Sequence, residues 1–314
     1  MKLLIKKIFL FGLLALSIYI IMFGALYFIR IGNVPLVYRS TQGNVFKGGL
    51  TYKKFKEFNP AEKYDIIVLG SSHAYRGYDP EIFASYGYKI YNLGSSAQSL
   101  LSSYVIARNY INRDNCNTVI IDLYDRIFRY SSIESLSDIT QNVSSDKAAA
   151  ELCLRSKDLR AINMFTLRMF CKFDKPLNND TLNLMSGFQA SNNQLVLPGN
   201  PKDPDYTSNK ETLNSFTKLI HYLNNQGIHI ILAEHPLPEV YTISESKHSR
   251  FVTDINKIIK PYNIKWYDLM RDSTMTGIQY YADENHLNYR GVKKYNHKLI
   301  ELLIKDQQLP PKSH

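Results

Sequence analysis

The chain alternates between short apolar runs and helix-like stretches, and this alternation is the strongest constraint on its fold. The apolar runs are rich in β-branched and aliphatic residues, as buried strands are: Tyr64–Leu69, Lys89–Leu93, Thr118–Leu123, Ile228–Ala233 and Ile264–Tyr267. Helical patterns lie between or after them, over residues 97–112, 211–225, 251–259 and 289–305. This order predicts an α/β fold whose parallel sheet is covered by helices on both faces.

An uncharged apolar run begins directly after Lys6 and Lys7. Residues 8–29 span 22 positions without a charge, enough at about 1.5 Å per residue to cross a bilayer. The run is longer than the core of a secretory signal peptide and ends in a poor cleavage context. We therefore expect residues 1–30 to form a cytoplasmic tip and an uncleaved single-pass anchor. The N-terminal lysines favour a cytoplasmic N-terminus, which places the large domain outside the cell membrane.

The remaining sequence suggests where the main domain begins and ends. Residues 31–60 contain scattered glycine, proline and lysine without lasting periodicity, and we expect a membrane-proximal linker there. The domain then covers residues 61–306. Ser-, Asn- and Asp-rich sequence with short helical stretches interrupts the alternation over about residues 130–209, which predicts an insertion over one sheet edge. Residues 307–314 form a polar tail.

Charge and cysteine content do not indicate nucleic acid or metal binding. Of the net charge of +10, four basic residues flank the anchor, and subtracting them leaves +6 without a block of like charges. This is typical of a solvated basic surface, so we expect no nucleic acid partner. Cys116, Cys153 and Cys171 have no metal-binding spacing. A Cys153–Cys171 disulfide and free buried thiols are both compatible with the sequence.

Residues suited to nucleophilic catalysis follow the first strand and precede the last helix. Ligands bind beyond the carboxyl ends of strands in parallel α/β sheets. Ser72, in Gly-Ser-Ser after the first strand, can present its hydroxyl there as a nucleophile. Asp283 and His286, three positions apart, can supply the carboxylate and general base that such a serine needs. The sequence predicts a triad of Ser72, His286 and Asp283. Ser71 is the fallback nucleophile and a candidate for oxyanion or substrate binding.

These residues resemble the SGNH/GDSL hydrolase superfamily, whose first block is Gly-(Asp/Ser)-Ser after the first strand and whose last block is Asp-x-x-His. The resemblance spans about residues 62–305 without the insertion and implies a flavodoxin-like, three-layer fold. It also implies that Gly94, in Tyr-Asn-Leu-Gly-Ser, donates its N–H to an oxyanion. The third block, Gly-x-Asn-Asp, is absent: residues 122–126 read Asp-Leu-Tyr-Asp-Arg. One oxyanion donor is therefore missing or supplied by another group.

Other interpretations apply to several candidate residues. Gly94 is also explained by a tight turn. His73 and Arg76 lie beside Ser72 and could bind an anionic substrate, yet a solvated loop explains each of them. His235, before a proline, is expected to be packed rather than catalytic. The sequence contains no motif for a metal or a cofactor, and we expect neither.

The Gly-Ser-Ser block, single anchor and Asp-x-x-His-Leu-Asn ending are most similar to the envelope branch of the superfamily. This branch includes the membrane-anchored D protein of teichoic acid D-alanylation and the alginate O-acetylation proteins. The resemblance implies an extracytoplasmic serine esterase or O-acyl transferase acting on acylated envelope polysaccharide or teichoic-acid-like polymers. Its partners would be that polymer, lipid around residues 8–29 and a membrane-bound O-acyl transferase. The alternative is a non-catalytic, membrane-anchored protein that binds a glycan or partners an acyltransferase.

Overall fold

The computed structural model describes residues 1–32, 34–41, 48–129, 132–170, 184–196, 206–241 and 244–312. Its helices are α1 (Lys2–Phe28), α2 (Gly49–Glu57), α3 (Ser72–Gly77), α4 (Pro80–Ser85), α5 (Leu100–Tyr110), α6 (Ile133–Asn142), α7 (Asp146–Ser156), α8 (Leu159–Phe170), α9 (Lys210–Asn225), α10 (Glu245–Ile259) and α11 (Tyr289–Lys305). Its strands are β1 (Arg30–Ile31), β2 (Val34–Pro35), β3 (Tyr64–Leu69), β4 (Ile90–Asn92), β5 (Cys116–Asp122), β6 (His229–Glu234) and β7 (Lys265–Asp268).

Strands β3 to β7 form one parallel sheet in the spatial order β4-β3-β5-β6-β7. Numbered along the chain, these five strands have the order 2-1-3-4-5, which is the flavodoxin-like arrangement. The expected α/β fold with a parallel central sheet is confirmed. The order of the strands reverses between β3 and β5, and ligand sites in such sheets lie at that crevice, beyond the carboxyl ends of the strands.

Alternate residues of the central strands face two separate apolar cores. Ile67 and Leu69 of β3 face a core formed with α5, α9 and α10. Ile66 and Val68 face the opposite core, which α4 and α11 complete. Because successive side chains of a strand point to opposite faces, a strand that is apolar throughout has to be covered on both sides.

The predicted insertion divides into two described parts. Helices α6, α7 and α8 pack against one another, and α7 also packs against α5. In the second part, residues 184–196, the Ser186 carbonyl accepts the N–H of Asn92 at the end of the edge strand β4 at 2.8 Å. This contact pairs one backbone group of the strand that would otherwise lie on an open sheet edge. The expected insertion over one sheet edge stays a prediction, whereas α6–α8 extend the helical layer beside α5.

Both ends of the domain are more closely packed than the sequence suggests. In the expected linker, helix α2 buries Lys54 and Phe55, and Phe58 follows them into the interior. The domain therefore begins before residue 61. In the expected tail, Leu309 is 2% exposed, and Lys312 pairs with an aspartate at the start of β3 at 2.6 Å. Both segments are short, so their periodicity is weak in the sequence even though each contributes core side chains.

Helix α1 is long and apolar enough to cross a membrane, a property that an N-terminal signal sequence would share. None of its residues is buried. Near its C-terminal end it packs against a small buried cluster of Val37, Tyr38 and Leu167. Cys116 and Cys153 carry free thiols, and Cys171 of the proposed disulfide lies outside the described residues.

Lys54 links α2 to the loop after β4. Its ammonium group donates to the Gly94 carbonyl and lies 5.0 Å from the Tyr75 ring centroid. The side chain is fully buried, and this burial lowers the pKa of Lys54 to about 7, against an opposing effect of the Asp138 charge. The lysine is therefore only partly protonated near neutral pH, although its ordinary pKa lies near 10.4.

Replacing Lys54 with Met should remove a pH-dependent cost of folding. Between about pH 7 and pH 10 the unfolded chain keeps a lysine proton that the folded chain releases, so the stability of the wild type rises with pH there. We expect the free energy of unfolding, measured in urea, to rise from pH 7 to pH 9.5 in the wild type relative to Lys54→Met. The exposed Lys56→Met serves as control. If the free energies of unfolding of the wild type and Lys54→Met differ by the same amount at both pH values, the lowered pKa of Lys54 is contradicted.

Candidate active site

Ser72 lies at the carboxyl end of β3, next to the point where the strand order reverses. The strand stops at Gly70, whose φ of +151° favours glycine, and a Cβ there would approach the Asp122 Cβ to 2.9 Å. Ser71 caps α3 by accepting the His73 N–H at 3.4 Å, and Ser72 is the first helical residue. This strand, turn and short helix direct the Ser72 hydroxyl toward the crevice.

The loop after β4 meets this turn in close contact. A Cβ on Gly94 would lie 2.6 Å from the Ala74 Cβ and 3.0 Å from the Gly70 carbonyl oxygen, so the packing requires glycine. The buried Asn92 side chain joins the two loops: its amide donates to the Ala74 carbonyl at 2.7 Å, and its oxygen accepts the Gly94 N–H at 3.0 Å. The N–H that the sequence assigns to an oxyanion therefore already has a partner.

Asp283 and His286 lie on a tight turn before α11, and local hydrogen bonds hold that turn. A β-bridge closes it. Asp283 Oδ1 accepts the N–H groups of Asn285 and His286 at 3.1 Å and 3.0 Å, and Asn288 caps the following helix. The spacing of three residues thus fixes the carboxylate and the imidazole on one rigid element.

The structure brings the three predicted catalytic side chains into one hydrogen-bonded chain. His286 Nε2 lies 2.7 Å from Ser72 Oγ. His286 Nδ1 lies 2.8 Å from each carboxylate oxygen of Asp283. With its proton on Nδ1, the imidazole donates to Asp283, and Nε2 accepts the Ser72 hydroxyl proton. This arrangement can activate a serine for attack on a carbonyl carbon.

The surroundings of Asp283 stabilise its ionised form. Its burial acts to raise the pKa, but hydrogen bonds from His286 and from the turn N–H groups outweigh this effect and lower the pKa of Asp283 below its usual range. Arg76 lies 3.6 Å from the same carboxylate and packs over the Tyr75 ring. Arg76 therefore lies beside the Asp283 carboxylate and remains partly exposed to solvent.

A buried stack of rings supports the triad. The His73 ring centroid lies 4.0 Å from those of Tyr124 and His235, and 5.4 Å from that of His286, edge-on. Burial lowers the pKa of His235 to about 4 and that of His73 well below its usual range, so both rings are neutral. The solvated-loop interpretation of His73 is wrong because the side chain is 1% exposed. His235 is packed, as expected.

A cavity of about 240 Å³ lies beside Ser72 and is rich in hydroxyl and amide groups. Its lining residues are Ser71, Ser72, Ser96, Ala97, Gln98, Ser99, Tyr124, Arg126, Ile127, Ser132 and Asn285. Of the residues predicted for the oxyanion or substrate, Ser71 lines this cavity, whereas Gly94, His73 and Arg76 are not part of the lining. The described residues that could together hold a metal ion lie elsewhere in the fold.

The sequence did not predict Tyr124 or Asn285 as members of the site. Tyr124 follows β5 at the position of the missing third block, and the Asn285 amide donates to its hydroxyl oxygen at 3.0 Å. Burial raises the pKa of Tyr124 to about 12, so the phenol keeps its proton. Since its oxygen accepts from Asn285, that proton remains available for a further acceptor. The position of Tyr124 after a strand was the signal that could have indicated it.

No protein-family model matches the chain, and no curated protein matches its sequence. A Streptococcus pneumonia structure, provisionally described as a platelet activating factor, aligns at 11% identity over 81% of this chain and 91% of that one, with a TM-score of 0.45. A GDSL-like lipase from Bacteroides thetaiotaomicron aligns at 12% over 82% and 98%, with a TM-score of 0.41. A lipase/acylhydrolase from Enterococcus faecalis aligns at 11% over 80% and 100%, with a TM-score of 0.41. At these values the function has to be inferred from the chain's own side chains.

Replacing Ser72 with Ala should abolish labelling by a fluorophosphonate, because this reagent reacts with a serine whose proton a neighbouring base accepts. Ser71→Ala is the matched control. It removes a helix cap worth about 1 kcal/mol but leaves the triad, so the label should persist. In-gel fluorescence measures both variants, and circular dichroism confirms that each is folded. Undiminished labelling of Ser72→Ala, or loss confined to Ser71→Ala, would reject Ser72 as the nucleophile.

Proposed function

We propose that the protein is a serine esterase or O-acyl transferase that acts on short acyl esters through Ser72, His286 and Asp283. The observation that supports this proposal is the continuous chain of hydrogen bonds from Ser72 Oγ through His286 to Asp283, at 2.7 Å and 2.8 Å. The position of Ser72 at the strand-order reversal supports it as well, because substrates of open α/β sheets bind there.

The proposed reaction passes through an acyl-enzyme. His286 Nε2 takes the Ser72 proton as Oγ attacks the ester carbonyl carbon, and the carbonyl oxygen becomes negatively charged. The tetrahedral intermediate collapses, the ester C–O bond breaks, and His286 gives the proton to the departing alcohol. Water then attacks the acyl-serine in an esterase, or a sugar hydroxyl does so in a transferase. In this second step His286 takes the proton of the attacking hydroxyl and gives it to Ser72 Oγ as the bond between Oγ and the acyl carbon breaks.

Tyr124 is the proposed replacement for the missing oxyanion donor. The Ser72 N–H, in the first turn of α3, has no intrahelical acceptor and can supply one hydrogen bond. The Gly94 N–H is bound to Asn92, so a second donor has to come from another group. Tyr124 lines the same cavity and retains a proton, and Asn285 fixes the orientation of its hydroxyl.

The cavity supports a small acyl group on a polar alcohol. Its volume of about 240 Å³ is below the usual range of pockets for drug-sized ligands. Serine, glutamine and asparagine side chains dominate the lining, and they suit hydroxyl-rich substrates better than acyl tails. A second cavity, of about 320 Å³, shares Ser99 with the first, and its charged lining residues are Arg155, Lys157, Lys218 and Glu211. A long polymer with negative charges could extend from the first cavity into the second.

Anchoring in the cell membrane is the second part of the proposal. Helix α1 has the length and composition to cross a bilayer once, and the lysines at its start favour a cytoplasmic N-terminus. The catalytic domain would then lie outside the membrane, beside envelope polysaccharide or teichoic-acid-like polymer. A membrane-bound O-acyl transferase that delivers acyl groups is a compatible partner.

The full-length protein in detergent should hydrolyse p-nitrophenyl acetate and prefer it to the octanoate by about 10-fold or more in kcat/KM, because the polar cavity accommodates a short acyl group best. An O-acetylated oligosaccharide should release acetate in the same reaction. Added sugar acceptor distinguishes transfer from hydrolysis, because a transferase yields acetylated acceptor. If the wild type binds the oligosaccharide, releases no acetate and behaves as Ser72→Ala does, the non-catalytic alternative is favoured.

Tyr124→Phe should lower kcat on the acetate ester by about 10²-fold and leave KM nearly unchanged, since the lost hydroxyl would stabilise charge in the transition state. Fluorophosphonate labelling and the melting temperature should show that the triad and fold persist. The remote Tyr262→Phe removes the same group outside the cavity and should keep wild-type kcat. Wild-type kcat in Tyr124→Phe would reject the donor role and leave the triad proposal standing.

A further inference from the structure

Away from the catalytic cavity, three side chains that can bind metal converge at the carboxyl ends of β6 and β7. Glu234 ends β6, Asp268 ends β7, and His248 extends from α10. Their nearest ligand atoms all lie within 4.8 Å of one another. The sequence gives no hint of this group because the three residues are 14 and 20 positions apart and match no motif.

The register of the sheet itself places two of these carboxylates together. Glu234 and Asp268 are direct partners across the parallel pair β6 and β7, so their side chains leave the sheet on the same face. Like charges that lie directly opposite across two strands destabilise a sheet. The alternation of β6 supports this placement, since Ile230 and Leu232 face the same core as α10.

The environment of Glu234 lacks a compensating group among the described residues. The side chain is 2% exposed, and neither of its carboxylate oxygens has a hydrogen-bond partner there. His248 is 6% exposed, its Nε2 lies 2.5 Å from Asp268 Oδ2, and its Nδ1 is unpartnered. A buried carboxylate without a partner destabilises the fold, so such groups pair, become neutral or coordinate a metal.

We propose that Glu234, His248 and Asp268 bind one divalent transition metal ion. Two carboxylates balance the charge of the ion, and an imidazole with two carboxylates suits zinc or manganese. Metal–ligand bonds of about 2 Å place ligand atoms up to about 4 Å apart, so small side-chain adjustments complete the set. Water would fill the remaining positions on the side of Asp268, which is the most exposed of the three ligands.

The ion would fasten α10 to the sheet and fix the start of the loop after β6. That loop begins with His235, whose ring packs against His73 next to Ser72. The role of the ion would therefore be structural, supporting the active site through the loop that contains His235.

Metal analysis of the full-length protein tests the proposal. After treatment with EDTA and dialysis against zinc chloride, inductively coupled plasma mass spectrometry should find about one zinc per chain. Glu234→Gln and Asp268→Asn should each weaken zinc affinity by at least about 10-fold. Asp254→Asn, on the same helix as His248 but outside the group of three, should retain the wild-type affinity. Bound zinc should also raise the melting temperature of the wild type and not that of the two ligand variants.

Co²⁺ provides a second test, which reports where on the protein the metal ion binds. The chain has one tryptophan, Trp266, whose ring centroid lies 6.5 Å from that of His248. Stoichiometric Co²⁺ should quench its fluorescence in the wild type and in Asp254→Asn. Asp268 is partly exposed, so Asp268→Asn keeps the test valid if Glu234→Gln fails to fold.

The rival state is a neutral glutamic acid, because burial raises the pKa of Glu234 well above its usual range. In that case neither metal would bind, and Glu234→Gln would match the wild type in stability with or without zinc. That result, or zinc binding equal in the wild type and both ligand variants, overturns the proposal. Labelling of Ser72 reports separately on the active site, so either outcome leaves the esterase proposal untouched.

Discussion

The site depends on the close contact between the loops after β3 and β4. Gly70 and Gly94 approach Ala74 and each other so closely that a side chain at either position would collide with its neighbours. Asn92 locks this contact with two buried hydrogen bonds. Because the contact fixes the first turn of α3, it determines where the Ser72 hydroxyl lies. Ser72 is thus positioned by tight backbone packing at the strand-order reversal.

The electrostatic character of the site follows from burial. His73 and His235 are neutral because they lie in the interior, so they place no positive charge beside the His286 ring. Asp283 is held ionised by hydrogen bonds from its own turn. In the proposed mechanism, the fixed carboxylate and neutral rings around the imidazole let it accept the serine proton without reorganising its surroundings. Such preorganisation is a large part of catalysis in sites of this kind.

The sequence predicted those parts of the structure that depend on local pattern. Apolar runs located all five strands of the sheet, and the Asp-x-x-His spacing identified a turn that does bring both side chains to Ser72. Features that depend on distant contacts could not be predicted. The hydrogen bond from Asn92 to the Ala74 carbonyl, the burial of His73 and the pairing of Tyr124 with Asn285 each arise from residues brought together by folding. Helix α2 was missed because its apolar face is too short to show periodicity.

The central claim is that Ser72 carries the acyl group during turnover. The most direct measurement is rapid acid quenching of the full-length protein with p-nitrophenyl acetate, followed by peptide mapping by mass spectrometry. The account predicts one acetyl group, on the peptide that contains Ser72 and on the oxygen of that serine, appearing with the first equivalent of released nitrophenol. Nitrophenol release without an acetyl-enzyme, or acetylation that maps to another residue, would contradict it.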